Sequence, residues 1–130
     1  MGLFGSLFGG GNESEKTKSA LPWVPLDHID QLANIITKSH GLPQVIFKHS
    51  TTCGISRMVL NMFRDTYGLE ASDADLYYLD LHAHRDVSNE VAATFQVMHQ
   101  SPQLLVIKNG VVTFHTSHGA ITEVDLKSLV

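Results

Sequence analysis

The sequence predicts an α/β domain: a four-stranded mixed sheet with helices on both faces, in the order α-β-α-β-α-β-β-α. Three observations carry this. Short apolar runs alternate with stretches of helical periodicity. Strand–helix–strand units of this kind cross over right-handed and leave parallel neighbours. An Asn109-Gly110 pair sits between two apolar runs. That pair is a strong short hairpin signal, and it adds an antiparallel edge.

Each element has its own signature. "LPWVPL", Leu21 to Leu26, is held extended by its prolines. Asp27 is placed to cap a first helix, with Ile29, Leu32, Ala33 and Ile36 at helical spacing and Gly41 ending it. Gln44 to Lys48 reads as a short buried strand. Ile55, Met58, Val59, Met62 and Phe63 then recur at i, i+3, i+4, i+7 and i+8, which predicts an amphipathic helix with those residues inward and Gly68 as its stop. Asp75 to Leu81 is a second strand. Asp86 opens a helix with Val87, Val91, Phe95 and Met98 inward. Gln103 to Lys108, a continuous apolar run, is a central strand, and Val111 to His115 is its hairpin partner. A last helix is expected from Thr122, with Ile121 and Leu126 as a hydrophobic staple.

The bulk properties narrow the class. The chain has 130 residues, 43% of them apolar and 17% charged, which suits one globular domain with a core of its own. The domain is expected over residues 21–130, after a flexible N-terminal tail, 1–20. The glycine-rich and polar stretch in that tail has too little apolar surface to pack. Its "LFGSLFG" repeat suits either a loose tail or a transient apolar face for a partner or membrane. A net charge of −4 without a Lys/Arg cluster argues against a nucleic-acid partner. No stretch reaches the length of a membrane span and the N-terminus lacks the pattern of a secretory signal, so no stable membrane association is expected. A single cysteine excludes an internal disulfide and suits a reducing, cytoplasmic setting.

That cysteine, in "HSTTCGIS" (His49 to Ser56), is the natural focus of chemistry. Cys53 falls where a strand ends and a helix begins. Unpaired N–H groups and the positive end of the helix dipole favour thiolate over thiol there. Free cysteines are often small buried hydrophobes, but the polar company of Ser50, Thr51 and Thr52 favours a reactive thiol. Thr52, Gly54, Ser56 and Arg57 are the groups placed to stabilise that thiolate, Ser56 through a hydrogen bond. Lys48 and His49 add positive charge nearby. Ser56 stands where a dithiol redox site carries its second cysteine, so the site takes part in thiol–disulfide exchange but needs an outside thiol to finish. A second landmark is Pro102, directly before a central strand, where a residue without an N–H is tolerated. A cis Ser101-Pro102 bond would present the backbone of Ser101 to an extended substrate segment.

The thiol after the first core strand and the proline before the penultimate strand resemble a thioredoxin-like fold. More narrowly, "VIFKHSTTCGISRM" (Val45 to Met58), "VSNEVAATFQVMHQSPQLLVIKNG" (Val87 to Gly110) and "SHGAIT" (Ser117 to Thr122) resemble the YtxJ-type monothiol bacilliredoxins. The resemblance spans about residues 21–130, and the glycine-rich tail lies outside it. It implies removal of bacillithiol, a low-molecular-weight thiol, from bacillithiolated proteins. Cys53 matches the nucleophile. Ser101 and Pro102 match the substrate-binding segment, with His49 beside them. Bacillithiol would be a co-substrate, with no tightly bound cofactor and no metal.

Rival readings remain at this level. Ser50 to Cys53 has the S-x-x-C spacing of peroxiredoxins, but Ile46 stands where their proline belongs. Monothiol glutaredoxins, which bridge an iron–sulfur cluster, carry Phe where Ile55 stands. A thioredoxin-fold interaction module with an incidental thiol is the non-enzymatic reading. The pairs His82/His84 and His115/His118 lack a clear third metal ligand. Trp23 is expected to pack the first helix onto the domain.

Overall fold

The computed structural model describes residues 21–130; the expected tail, 1–20, lies outside the described residues. The elements are β1 (Trp23–Pro25), α1 (Gln31–Lys38), β2 (Gln44–His49), α2 (Gly54–Thr66), β3 (Asp75–Asp80), α3 (Arg85–Phe95), β4 (Gln103–Lys108) and β5 (Val111–Ser117). Two 3₁₀ segments, His118–Glu123 and Leu126–Ser128, close the described chain.

The sheet has five strands rather than four, in the order β1-β3-β2-β4-β5. The extra strand is "WVP", which pairs parallel to β3 with Trp23 opposite Leu76. Its prolines allow this because β1 is an edge strand, where a missing N–H costs no ladder bond on the open side. β2 runs parallel to β3 and antiparallel to β4, and β4 runs antiparallel to β5. The β4–β5 turn uses Asn109 and Gly110 at φ 54° and 83°, the left-handed conformation that this pair tolerates.

Alternation along β2 and β4 sends their side chains to two cores. On one face Ile46, Leu105 and Ile107 pack with Leu32 and Ile35 of α1 and Val87, Val91 and Phe95 of α3. On the other, Val45, Phe47, Leu104 and Val106 meet Val59, Leu60 and Phe63 of α2 and Ile121 and Leu126 of the 3₁₀ segments. Trp23 belongs to this second core, not to the first helix: its ring centroid lies 6.0 Å from that of Phe63 and 5.4 Å from that of Tyr78.

Several expected faces are corrected. In α2 the buried row is Ser56, Val59, Leu60 and Phe63, while Ile55, Met58 and Met62 are 57%, 54% and 45% exposed. Val59 and Phe63 are buried as expected, and the face that meets the sheet continues through Leu60 and Ser56 rather than through Ile55, Met58 and Met62. In α1 the buried residues are Leu32 and Ile35, and Ile29 is outside. That helix begins after Asp30, and the Gln31 Oε1 accepts from the N–H groups of Asp27 and His28, so Asp27 is not its cap. Met98 lies beyond the end of α3 and is 80% exposed. The predicted last helix is replaced by the two 3₁₀ segments, although Ile121 and Leu126 are buried as the staple required.

Candidate active site

The register of β2 and β4 defines one end of the sheet. Lys48 lies opposite Gln103, so the chain leaving β2 toward Cys53 and the chain entering β4 through Ser101-Pro102 emerge at the same end of the sheet. The Ser101-Pro102 peptide is cis. The Pro102 carbonyl accepts from the His118 N–H at 3.0 Å, which ties this segment to the first 3₁₀ segment.

Cys53 is the N-cap of α2. Its backbone is extended, its side chain makes no cap hydrogen bond, and it is partly exposed. Its carbonyl accepts the first helical bond, from Arg57 N–H at 3.1 Å. The thiol therefore sits at the N-terminal end of a 13-residue helix with solvent access. Gly54 and Thr52 flank it and are exposed. Space around Gly54 is open, since a Cβ built there would meet nothing within 4 Å. Arg57 donates from a guanidinium nitrogen to the Thr51 carbonyl at 3.3 Å, bracing the loop from outside.

Ser56 does not do what its position suggested. It is fully buried. Its hydroxyl accepts from the Ser50 N–H at 3.0 Å and shares a 2.8 Å bond with His49 Nδ1, so it is turned inward rather than toward Cys53. The corrected role is structural: the hydroxyl closes the loop over the start of the helix. His49 is likewise corrected. It is 4% exposed, held against Ser56 and 5.8 Å from the Tyr78 ring centroid, and so presents no surface to a substrate. Burial is the largest influence on its imidazole and pushes its pKa below the ordinary value; Asp80 opposes the shift, and Arg64, Arg57 and His82 add to it. His49 is thus a neutral buried support, not a positive group beside the thiol.

One contributor was missed and one is corrected. His82, from the turn after β3, brings Nε2 to 2.8 Å from Ser50 Oγ and 3.1 Å from Thr52 Oγ1. The Asp80 carboxylate accepts from His82 N–H at 3.1 Å and holds that turn. His82 therefore braces the residue directly before Cys53. Its partners lie 30 and 32 positions away in the chain, which no local signal reveals. The corrected residue is Lys48, which is fully buried on the α3 face instead of adding charge beside Cys53. Among the described residues no group of three or more His, Cys, Asp or Glu side chains could hold a metal ion. No helix among them is long and apolar enough to cross a membrane.

A lone, partly exposed sulfur at a helix N-terminus, beside a cis-proline strand entry on a mixed sheet, defines the thioredoxin-fold class of thiol oxidoreductases. Solved structures agree on the fold. The chain is 33% identical to a proposed oxidoreductase with a thioredoxin fold, with a TM-score of 0.65 over 77% of this chain and 86% of the other. It also matches thioredoxin O2 from Arabidopsis thaliana (21% identity, TM-score 0.60, 83% and 90% covered) and a thioredoxin from Trypanosoma brucei brucei (17%, 0.61, 85% and 89%). Within that class the particular family is also shown. Residues 24–126 match the model of the monothiol bacilliredoxin BrxC, and the chain belongs to this family.

Proposed function

We propose that this chain removes bacillithiol, or a similar low-molecular-weight thiol, from protein mixed disulfides in the cytoplasm. The observation that carries the reading is the placement of Cys53: the sole cysteine, N-capping α2, partly exposed, at the end of the sheet where Ser101-Pro102 enters β4. The Cys53 thiolate attacks the bacillithiol sulfur of the mixed disulfide. A new S–S bond forms to Cys53 as the old one breaks, and the protein sulfur leaves as thiolate and takes a proton from solvent. A second low-molecular-weight thiolate then attacks the bacillithiol sulfur bound to Cys53. It departs as the symmetric disulfide and returns Cys53 as thiolate.

The fold explains why the second step needs an outside thiol. The residue three positions on is Ser56, buried and bonded to His49 and Ser50, so no internal group resolves the intermediate. Backbone groups of Ser101 are the platform on which an extended protein segment would pair. The lone unpaired thiol supports a reducing setting.

The test is release of bacillithiol from a bacillithiolated protein. Wild-type chain with a thiol reductant should release it. Cys53→Ala should reduce release to the uncatalysed rate, and undiminished release by that variant would remove the reading.

A further inference from the structure

Lys48 is the least expected side chain in the fold: a lysine with no exposed surface, in the strand that leads to Cys53. Lysines are almost never fully buried unless paired, yet neither ion pair among the described residues includes it. Its Nζ lies 3.3 Å from the Ser88 carbonyl of α3 and 3.3 Å from His99 Nδ1. An ammonium has no lone pair, so His99 Nδ1 accepts and the neutral imidazole turns Nε2 outward. Beside Lys48 in register is Gln103, whose Nε2 donates to the Met98 carbonyl at 3.0 Å. Two neighbouring side chains on the α3 face thus reach consecutive residues, 98 and 99, of the segment that runs into Ser101-Pro102. The Ser88 Oγ lies 3.4 Å from the same His99 Nδ1, a longer contact between neutral groups, and apart from these contacts Met98 and His99 are exposed.

We propose that Lys48 is a positioning residue for the exchange reaction: from the face of the sheet opposite α2, its ammonium holds His99 while Gln103 holds Met98, and together they fix the 98–102 segment that receives the protein substrate. This rests on the reading of Ser101-Pro102 as a substrate platform. The hold is charge-assisted, and such bonds are roughly twice as strong as neutral ones. The charged and titratable groups around Lys48 are few. His99 faces it from the loop, Arg85 of α3 acts on His99 from beyond it, Ser88 presents a carbonyl, and Gln103 is uncharged. Burial alone brings the Lys48 pKa down to about 8, so the hold weakens just above neutral pH. His99 is pushed below its ordinary value, first by burial and then by the charges of Lys48 and Arg85, which keeps its Nδ1 free to accept.

Two measurements test this. Amide resonances of residues 98–101 are followed from pH 6 to 10 in full-length Cys53→Ala protein, so that the thiol takes no part in the response. One transition near pH 8 is expected, and it should vanish on adding Lys48→Met. Its survival in that variant would overturn the proposal. In otherwise wild-type protein, Lys48→Met should raise KM about tenfold for a bacillithiolated peptide with kcat held, as expected for one lost charge-assisted bond. Exchange with a small symmetric disulfide should be unaffected. His99→Gln, a surface change, should repeat the KM effect if Lys48→Met folds poorly. An unchanged KM in both variants, or equal losses on both substrates, would overturn the proposal. Failure of wild-type protein on either substrate would instead defeat the functional reading, leaving the amide titration to decide the clamp.

Discussion

His49 and Lys48 are consecutive in one strand and both buried, yet the two faces of the sheet treat them differently. On the α2 face His49 is neutral and closes a compact network: Ser56 joins it to the Ser50 backbone, and Asp80, opposite it in register, supports the turn carrying His82. On the α3 face Lys48 brings a charge with only a carbonyl and an imidazole for partners, and the neighbouring Gln103 Oε1 has none. The difference shows a division of labour. The neutral side fixes the nucleophile's loop as part of the fold. The charged side carries a destabilising group that reaches His99, in the segment that runs into Ser101-Pro102.

The largest expected effect comes from the neutral side. Ser56→Ala strands both His49 Nδ1 and the Ser50 N–H inside the protein. It should cost about 1–3 kcal/mol in urea unfolding, the usual penalty for an orphaned buried polar group. His49 also gives this side an acid dependence. Its folded pKa lies below the ordinary 6.5, so the unfolded chain binds more protons as pH falls through that value. Its contribution to stability is therefore full above pH 6.5 and lost below it as pH approaches the folded value. Melting curves between pH 5 and 7 should show that loss, and His49→Gln should reduce it; the depressed His99 keeps part of the slope.

On the charged side the same reasoning gives the opposite result for a substitution. Between about 8 and 10.5 the unfolded chain holds a proton that folded Lys48 has given up, so stability should rise with pH across that window. Below about 8 the penalty of the buried ammonium is fully present. Lys48→Met should therefore be neutral or stabilising by about 1 kcal/mol at pH 7, although it impairs the platform. A marked loss of stability would show that the two sides are alike after all. The smallest effect is expected at Met62→Ser, within about 0.5 kcal/mol, because that side chain faces solvent rather than either core.

Met62 also marks where the sequence misleads. The expected row Ile55, Met58, Val59, Met62 and Phe63 is wide enough to turn either way, and the face that meets the sheet keeps Val59 and Phe63, adds Leu60 and leaves Ile55, Met58 and Met62 outside. Ser56 in the buried row, a polar residue with partners before the helix, is what disguises it. Strands, the hairpin and the thiol's place between strand and helix were legible because they rest on local chemistry: apolar runs, Asn109-Gly110 and the polar approach to Cys53. β1 was missed as a strand since three residues with two prolines nearby gain their pairing only from β3, some fifty positions on. The partners of Lys48 are 40 and 51 residues away and those of His82 about 30, so their roles exist only in the folded chain.

The central claim, that Cys53 carries a low-molecular-weight thiol as its covalent intermediate, is tested most directly by intact-protein mass spectrometry after treatment with oxidised bacillithiol and, separately, oxidised glutathione. A single adduct of bacillithiol mass on Cys53, formed faster than any glutathione adduct and absent in Cys53→Ala, is the expected result. An unmodified chain after both treatments would contradict it, and equal labelling by the two disulfides would remove the preference for bacillithiol.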